Sequence, residues 1–445
     1  MSPRSLDRTF IGRSTEYGAH LGDTYRVYPS VRSMPPTQAG QQSGRRGRVL
    51  SQNLLALGFT SFFTDISSEM VVAIVPLFLT TTLGFSFFGF AAYEAAYQGT
   101  NAVFRIWGGS IADNRQSHKK TAATGYSISA VTRLGLVLSA LVAWVPAIPF
   151  LLADRIGKGL RTAPRDALIS LSTAPDRLGM AFGVHRAMDT AGALLGPLVA
   201  FLVLSSAPGA FDAVFVISAM FAAVGVAVIW MFAQEKPQKQ VNQNQRPRII
   251  DQWREVKDTK GVAKIATAVG MLSIVTVGDA FIYLVIQQTS NLSARYFPLL
   301  FVGTALVYLV LAVPLGRLAD HIGTRPVFLA GNALLIVMYL VVGFSGLGLV
   351  ASLLCLGLLG AYYAATDGVI PAMVSQLVDT HIRASGIAFV TVVIAVARML
   401  SALLFASLFE TLGKTSAMIT LSIAMGVAVL VSIQLMAPRN VMTND

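Results

Sequence analysis

The amino-acid sequence predicts an all-α polytopic membrane protein, with twelve transmembrane helices in two pseudo-symmetric six-helix halves. Three observations carry this. Of 445 residues, 54% are hydrophobic and only 13% charged, and the mean hydropathy of +0.64 lies beyond that of soluble domains. After residue 50, apolar segments long enough to span a bilayer follow one another, and the longest break, 234–263, divides them six and six. The two sets also repeat: Gly109-Ser-Ile-Ala-Asp113 after the second segment corresponds to Gly316-Arg-Leu-Ala-Asp320 after the eighth. Asp65 in the first segment and Asp279 in the seventh keep nearly the same offset, about 210 residues.

In chain order, residues 1–49 read as a disordered cytoplasmic tail. Arg4, Arg8, Arg13, Arg26, Arg32, Arg45, Arg46 and Arg48 are spread among Ser, Gly and Pro, with no apolar run to bury a core or serve as a secretory signal. The amino-terminal half, 50–233, holds spans at roughly 50–82, 87–110, 121–145, 148–171, 179–206 and 211–233. A cytoplasmic linker, 234–263, carries Lys236, Lys239, Arg246, Arg248, Arg254, Lys257 and Lys260. The carboxy-terminal half, 264–437, holds spans at roughly 264–288, 295–317, 326–345, 348–375, 385–409 and 415–437, and 438–445 form a second cytoplasmic tail.

The net charge of +12 is concentrated in particular loops, which points to membrane orientation and not to nucleic acid. Arg45, Arg46 and Arg48, then Arg115, Lys119 and Lys120, then Arg177, the linker, Arg325, Arg383 and Arg439 all fall on one side. The opposite loops are almost without basic residues except Lys414. The positive-inside rule then places both termini and the linker in the cytoplasm of a multi-pass protein of the cell (inner) membrane.

The fourth span is the most polar. Between Leu151 and Leu171 it carries Asp154, Arg155, Lys158, Arg161, Arg165 and Asp166, four basic residues against two acidic. At helical spacing these charges, with Gly159 and Thr162, occupy an arc of about 160°, and Ile156, Leu160, Ala163, Pro164, Ala167, Leu168 and Leu171 fill the remainder. One reading is an amphipathic helix on a protein or membrane surface. The other is a membrane-spanning helix whose polar face lines a water-filled cavity. An intramembrane charge costs about 2.5–3.5 kcal/mol, so a cluster persists only where neighbours or water solvate it.

Other charges lie within predicted spans: Asp65 and Glu69, one turn apart in the first; Glu94 and Arg105 in the second; His185, Arg186 and Asp189 in the fifth; Asp279 in the seventh; Asp367 in the tenth; Arg398 in the eleventh. Carboxylates in a partly dry cavity can exchange protons near neutral pH. Asp65 and Glu69 are therefore candidate proton carriers, Arg155 a competing ion-pair partner that resets them, and His185 a candidate relay. Glu94, Arg105, Lys158, Arg186, Asp189, Asp279 and Arg398 are candidate substrate-cavity residues. The alternative is a fixed ion-pair network holding the bundle together, with His185 a packing residue and Arg186 and Asp189 paired at i, i+3. Arg165 and Asp166, near the cytoplasmic end, read as gate or loop contacts. Phe59, Phe62, Phe63, Tyr93, Tyr97, Tyr362 and Tyr363 read as packing or as cavity lining.

These residues resemble the major facilitator superfamily over nearly everything after residue 50. Gly316, Asp320, Gly323 and Arg325 match the family's cytoplasmic signature. Gly109, Asp113 and Arg115, with Lys119 and Lys120, match it less fully, because Gln116 stands where a glycine is usual. The resemblance implies that both sets form a cytoplasmic gate. Arg155 and Gly159 are similar to the family's Arg-containing fourth-span motif. Gly183, Gly192, Gly196 and Pro197 are similar to the antiporter motif of proton-coupled exporters, although Ala200 and Phe201 replace expected glycines. Small residues at this spacing let helices approach closely and Gly-Pro permits a bend, and close packing alone also accounts for glycines in a bundle.

No metal-ligand spacing, phosphate-cradling loop or nucleotide motif is visible, so no cofactor, metal or catalytic residue is expected. The lone Cys355 excludes an intrachain disulfide. The expected activity is secondary transport by alternating access, not catalysis: proton-coupled export of a small polar or anionic organic molecule, with protons and the lipid bilayer as partners and a monomer sufficient. A proton-coupled uptake symporter of an organic anion, or a transporter-like membrane sensor, is the alternative.

Overall fold

The computed structural model describes residues 51–437 apart from 116, 143–144, 175–176, 236–248, 260, 345, 347 and 380–381. The tails predicted over 1–49 and 438–445 lie wholly outside the described residues. So do the side chains of 105–115, 249–253 and 383–384.

The chain is helical throughout the described residues. Helix α1, Gln52–Thr82, is capped by Ser51, whose Oγ accepts from Leu54 N at 3.1 Å. It is interrupted after Val72, where Pro76 removes a backbone donor, and it closes in a wide π-helical turn, Phe78–Thr82. Helices α2 (Phe87–Arg115), α3 (His118–Leu141), α4 (Ile148–Leu171), α5 (Leu178–Ser206) and α6 (Phe211–Phe232) follow, then a short connecting helix, Ile249–Asp258. Helices α7 (Val262–Thr289), α8 (Ala294–Ile322), α9 (Thr324–Phe344) and α10 (Leu349–Ser375) precede a final run, Arg383–Met436. Gly413, at φ 76° and ψ 171°, breaks that run into α11 (383–412) and α12 (414–436); only glycine takes this conformation without strain.

Eight helical runs among the described residues are long and apolar enough to cross a membrane: α1, α5 to α10, and 385–436. Helices α2, α3 and α4, of 29, 24 and 24 residues, have the length but a more polar composition. Large apolar side chains such as Met231, Leu349 and Val350 are exposed on the outside, where acyl chains would cover them.

Helix α1 lies between α5 and α6, α3 packs on α4 and α6, and α2 on α4. Among the later helices, α10 packs on α8 and α9, and the 383–436 run on α7 and α9. The two groups meet through α2 with the 383–436 run and through α5 with α8. Helix ends sort into two layers. At one, Asn53 bonds Ser172 Oγ (2.8 Å) and Gln234 O (2.9 Å), joining the start of α1 to the ends of α4 and α6. At the other, aromatic rings close the bundle: Phe87 stacks on Phe409 (4.4 Å), Phe90 meets Phe281 edge-on (4.9 Å), and Glu410 accepts from Phe88 N at 2.8 Å.

Candidate functional site

The site is built on α1. Asp65 and Glu69, four residues apart, share the face that α5 and α4 approach. Glycine permits the close approach: a Cβ at Gly192 would stand 2.5 Å from Phe62 O, and one at Gly196 2.8 Å from both Glu69 Cβ and Ile66 O. A Cβ at Gly183 would meet nothing within 4 Å, so that glycine is not a packing requirement. The seating of α5 brings Asp189 to the cavity wall that Asp65 also lines.

Helix α4 faces this acidic cluster with its basic stripe. Lys158 Nζ lies 3.8 Å from Glu69 Oε1, Arg161 3.9 Å from Asp65 Oδ1, and Arg165 3.7 Å from Asp189 Oδ1. Arg161 is oriented from behind by Ser129 Oγ (2.8 Å) and the Tyr126 ring (4.7 Å), and Arg165 by Ser61 Oγ (3.3 Å) and Asp166 (2.9 Å). With Arg186, Asn101 and Thr190 these groups line a cavity of about 360 Å³. His185 is buried beside it, Nε2 3.8 Å from Asp189 Oδ1.

One turn deeper the character changes. Asp154 is held by Arg133 at 3.0 Å and by Arg155, and all three are buried. Arg133 also donates to Ser67 (3.3 Å) and Ser68 (3.2 Å), and Arg155 lies over the Tyr97 ring at 4.5 Å. This is a closed tie between α1, α2, α3 and α4, and removing one partner from such a buried set costs about 3–5 kcal/mol.

A second chamber, about 350 Å³, opens on the other side of Glu69. Asp279, Tyr283, Thr304, Tyr308, Tyr363 and Asp367 contribute to its wall. Asp279 is placed there by a break in α7 at 275–278. Tyr339 OH accepts from Val277 N (2.9 Å) and donates to Val275 O (3.0 Å), while Ser401 Oγ donates to Thr276 O (2.6 Å), so the broken turn is satisfied by α9 and α11. Arg398 lies within electrostatic range of Asp367 and Asp279. A third chamber, about 210 Å³, joins Glu69 to Glu94, Arg155 and Asp279, with Glu94 accepting from Gln98 at 2.8 Å.

A family model described as Major Facilitator Superfamily matches residues 57–293 and 265–443. The chain belongs to the major facilitator superfamily. It is thus a multi-pass integral membrane protein of a transporter family, a family that carries small molecules and whose members are not enzymes. It is 30% identical over 371 residues to an uncharacterized MFS-type transporter of Methanocaldococcus jannaschii, covering 82% of this chain and 90% of that one. It is 34% identical over 94 residues to an uncharacterized protein of Mycobacterium tuberculosis, covering 21% and 22%. Among solved structures, the nucleoside transporter NupG superposes with a TM-score of 0.71 at 17% identity, covering 86% of this chain and 98% of that one. A POT family transporter in complex with 5-aminolevulinic acid superposes at 0.69 and 14%, covering 87% and 99%.

Within this major facilitator fold the residues singled out from sequence fall into three groups. Asp65, Glu69, Lys158, Arg186 and Asp189 meet around one cavity, and Glu94 and Asp279 line the chambers joined to it. Arg155 lines the smallest chamber from within the buried tie, His185 sits beside Asp189, and Arg398 belongs to the Asp279 and Asp367 cluster. The side chains of Arg105, Gly109, Asp113 and Arg115 lie outside the described residues. Of the second predicted gate set, Gly323 adopts φ +97°, Arg325 donates to Met436 O at 2.6 Å, a Cβ at Gly316 would meet nothing within 4 Å, and Asp320 is exposed near the end of α8. Sequence reasoning did not assign Arg161 to the cavity and read Arg165 as a gate contact. It overlooked Arg133 altogether, although an arginine within a span is itself a signal. Among the described residues no group of three or more His, Cys, Asp or Glu is placed to hold a metal ion.

Proposed function

We propose that this chain is a twelve-span, proton-coupled secondary transporter of a small anionic organic molecule. Two six-helix halves, 50–233 and 264–437, alternate access to the midplane site, with both termini and the linker in the cytoplasm of the cell membrane. The observation that carries the reading is the looseness of the cavity's ion pairs. Lys158–Glu69, Arg161–Asp65 and Arg165–Asp189 stand at 3.7–3.9 Å, whereas the buried Arg133–Asp154 pair closes to 3.0 Å. Four cations face three carboxylates in a half-solvated space, which suits exchange of partners better than permanent bracing. The crowding of Asp65, Glu69 and Asp189 on one cavity wall supports a proton role, because neighbouring carboxylates repel one another and a proton on one of them relieves this.

The linkage follows from the pairing. A proton on Asp65 or Glu69 releases Arg161 or Lys158 to an incoming anion, so proton and anion bind together, as in a symporter. Export by exchange is the second reading, favoured by the antiporter-like glycines: Gly192 and Gly196 seat α5 directly on the turns that bear Asp65 and Glu69.

Transport in proteoliposomes under an imposed pH gradient, with a lumenal pH dye and a panel of anionic and cationic metabolites, tests both. Anion accumulation driven by acid outside, with matching proton entry and loss of both in Asp65→Asn, is the symport result. Expulsion of a preloaded substrate as protons enter is the export result. Flux that ignores both the gradient and Asp65→Asn removes the proton-carrier role, and signalling without net flux would make the chain a sensor.

A further inference from the structure

The charges around the cavity are not mixed; they are sorted. On the α4 side, Lys158, Arg161, Arg165 and Arg186 outnumber Asp65, Glu69 and Asp189. On the opposite side the balance reverses, with Asp279 and Asp367 set against the single guanidinium of Arg398, and Glu94 within electrostatic range of both Asp279 and Arg398. Glu69 borders all three chambers, and Thr190 and Ala193 line both the basic and the acidic one, so the two poles adjoin across a shared wall. The wall of the acidic chamber is largely apolar and aromatic, with Tyr283, Phe301, Tyr308 and Tyr363 beside its carboxylates.

We infer that the transported molecule is a zwitterion with its charges at opposite ends, its anionic group held at Lys158, Arg161, Arg165 and Arg186, and an ammonium end held between Asp279 and Asp367 among the tyrosines. This rests on the anionic-substrate reading above and adds the second pole to it. The chemistry of the acidic chamber selects the partner. Two carboxylates near one guanidinium leave an acceptor surplus that a donor cation satisfies, and tyrosine rings favour an ammonium or guanidinium by cation–π attraction. A simple anion would bring no compensation to this side, and desolvating its carboxylates on closure would oppose binding. A simple cation would leave the basic pole in the same position. Chambers of about 350 Å³ each suit an amino-acid-sized molecule with an aromatic or apolar body.

A matched trio of probes separates the possibilities by isothermal titration calorimetry on the detergent-purified full chain: 4-(2-aminoethyl)benzoate, which carries both charges, 4-ethylbenzoate, which carries only the anion, and 2-phenylethylamine, which carries only the cation. The expected result is that 4-(2-aminoethyl)benzoate binds at least about tenfold tighter than either of the others. In Asp367→Asn and Asp279→Asn its advantage over 4-ethylbenzoate should disappear, because the ammonium end loses a partner while the simple anion is relieved of a carboxylate it cannot pair. Retained binding of 4-ethylbenzoate also shows that the variants are folded. Equal or weaker binding of the zwitterion than of 4-ethylbenzoate, including no binding by any of the three, overturns the proposal but leaves anion transport standing when 4-ethylbenzoate binds. Binding of 2-phenylethylamine alone overturns the anionic reading as well.

Discussion

Replacing Gly196 with alanine sets a methyl group 2.8 Å from Glu69 Cβ and Ile66 O and 2.9 Å from Met70 N, where ordinary contact begins at 3.4 Å. Two of these neighbours are backbone atoms of α1, so no side-chain rotation relieves the clash. Helix α5 must withdraw from α1 by about 0.5 Å or more, and overpacking of this kind costs about 1–3 kcal/mol. Gly192→Ala is harsher, because its Cβ would stand 2.5 Å from Phe62 O. In a thermal melt of detergent-purified protein, followed by intrinsic fluorescence, each variant should lose on the order of 2–10 °C. Gly183→Ala is the internal control. Its Cβ meets nothing within 4 Å, and alanine exceeds glycine in helix propensity by about 1 kcal/mol, so its melt should be unchanged or slightly higher. Separation of α5 from α1 also moves Asp189 away from Asp65, so Gly192→Ala and Gly196→Ala should lose transport beyond what their stability loss explains. Melts of all three variants within about 1 °C of wild type would refute the claim that glycine sets the α1–α5 spacing.

The buried tie and the closed end give further tests. Asp154→Asn strands two buried guanidiniums, Arg133 and Arg155, and should cost about 3–5 kcal/mol in the same melt; a loss no larger than that of a surface substitution would show that the serines and Tyr97 suffice to hold them. Glu410→Ala removes the carboxylate that caps the start of α2 from α11, a loss of about 1 kcal/mol, and should raise maleimide labelling of Ala406→Cys, a buried position one turn before it, roughly fivefold; unchanged labelling would mean that the aromatic contacts alone keep this end shut. Cys355 is buried, so the native chain should resist a membrane-permeant maleimide and react only after unfolding. Native labelling at the unfolded rate would contradict that burial.

Much of the architecture was legible because the bilayer imposes length and polarity on every segment that crosses it. The ends predicted at 148–171, 179–206 and 211–233 agree with α4, α5 and α6 to within a residue. The final run was read as two spans, 385–409 and 415–437, and the structure breaks it between them at Gly413. The site was legible only in part. Periodicity assigned Lys158, Arg161 and Arg165 to one face of α4 but could not tell which charges on that face reach the cavity and which are tied off at depth. Arg155 and Arg133 both close on Asp154, and Arg133 comes from another helix that no local spacing connects to it. The break in α7 was likewise hidden, because its freed backbone groups are satisfied by Tyr339 and Ser401, far away in the chain. Pairings across helices are set by the fold, and a linear pattern does not contain them.

The two charge groups of the cavity are carried by different helices: the basic one by α4 and α5 against α1, and the other by Asp279, Asp367 and Arg398 of α7, α10 and α11. The helices that carry each group are held together on their own side, the first by the glycine contacts of α5 on α1 and the second by the side-chain bonds that satisfy the α7 break. A displacement of one helix set against the other therefore leaves both groups intact and alters only the span between them. The cavity in that case works as a caliper. It measures the end-to-end length of whatever bridges it, and a molecule one bond too short or too long would be sensed as a misfit in only one of the jaws' settings.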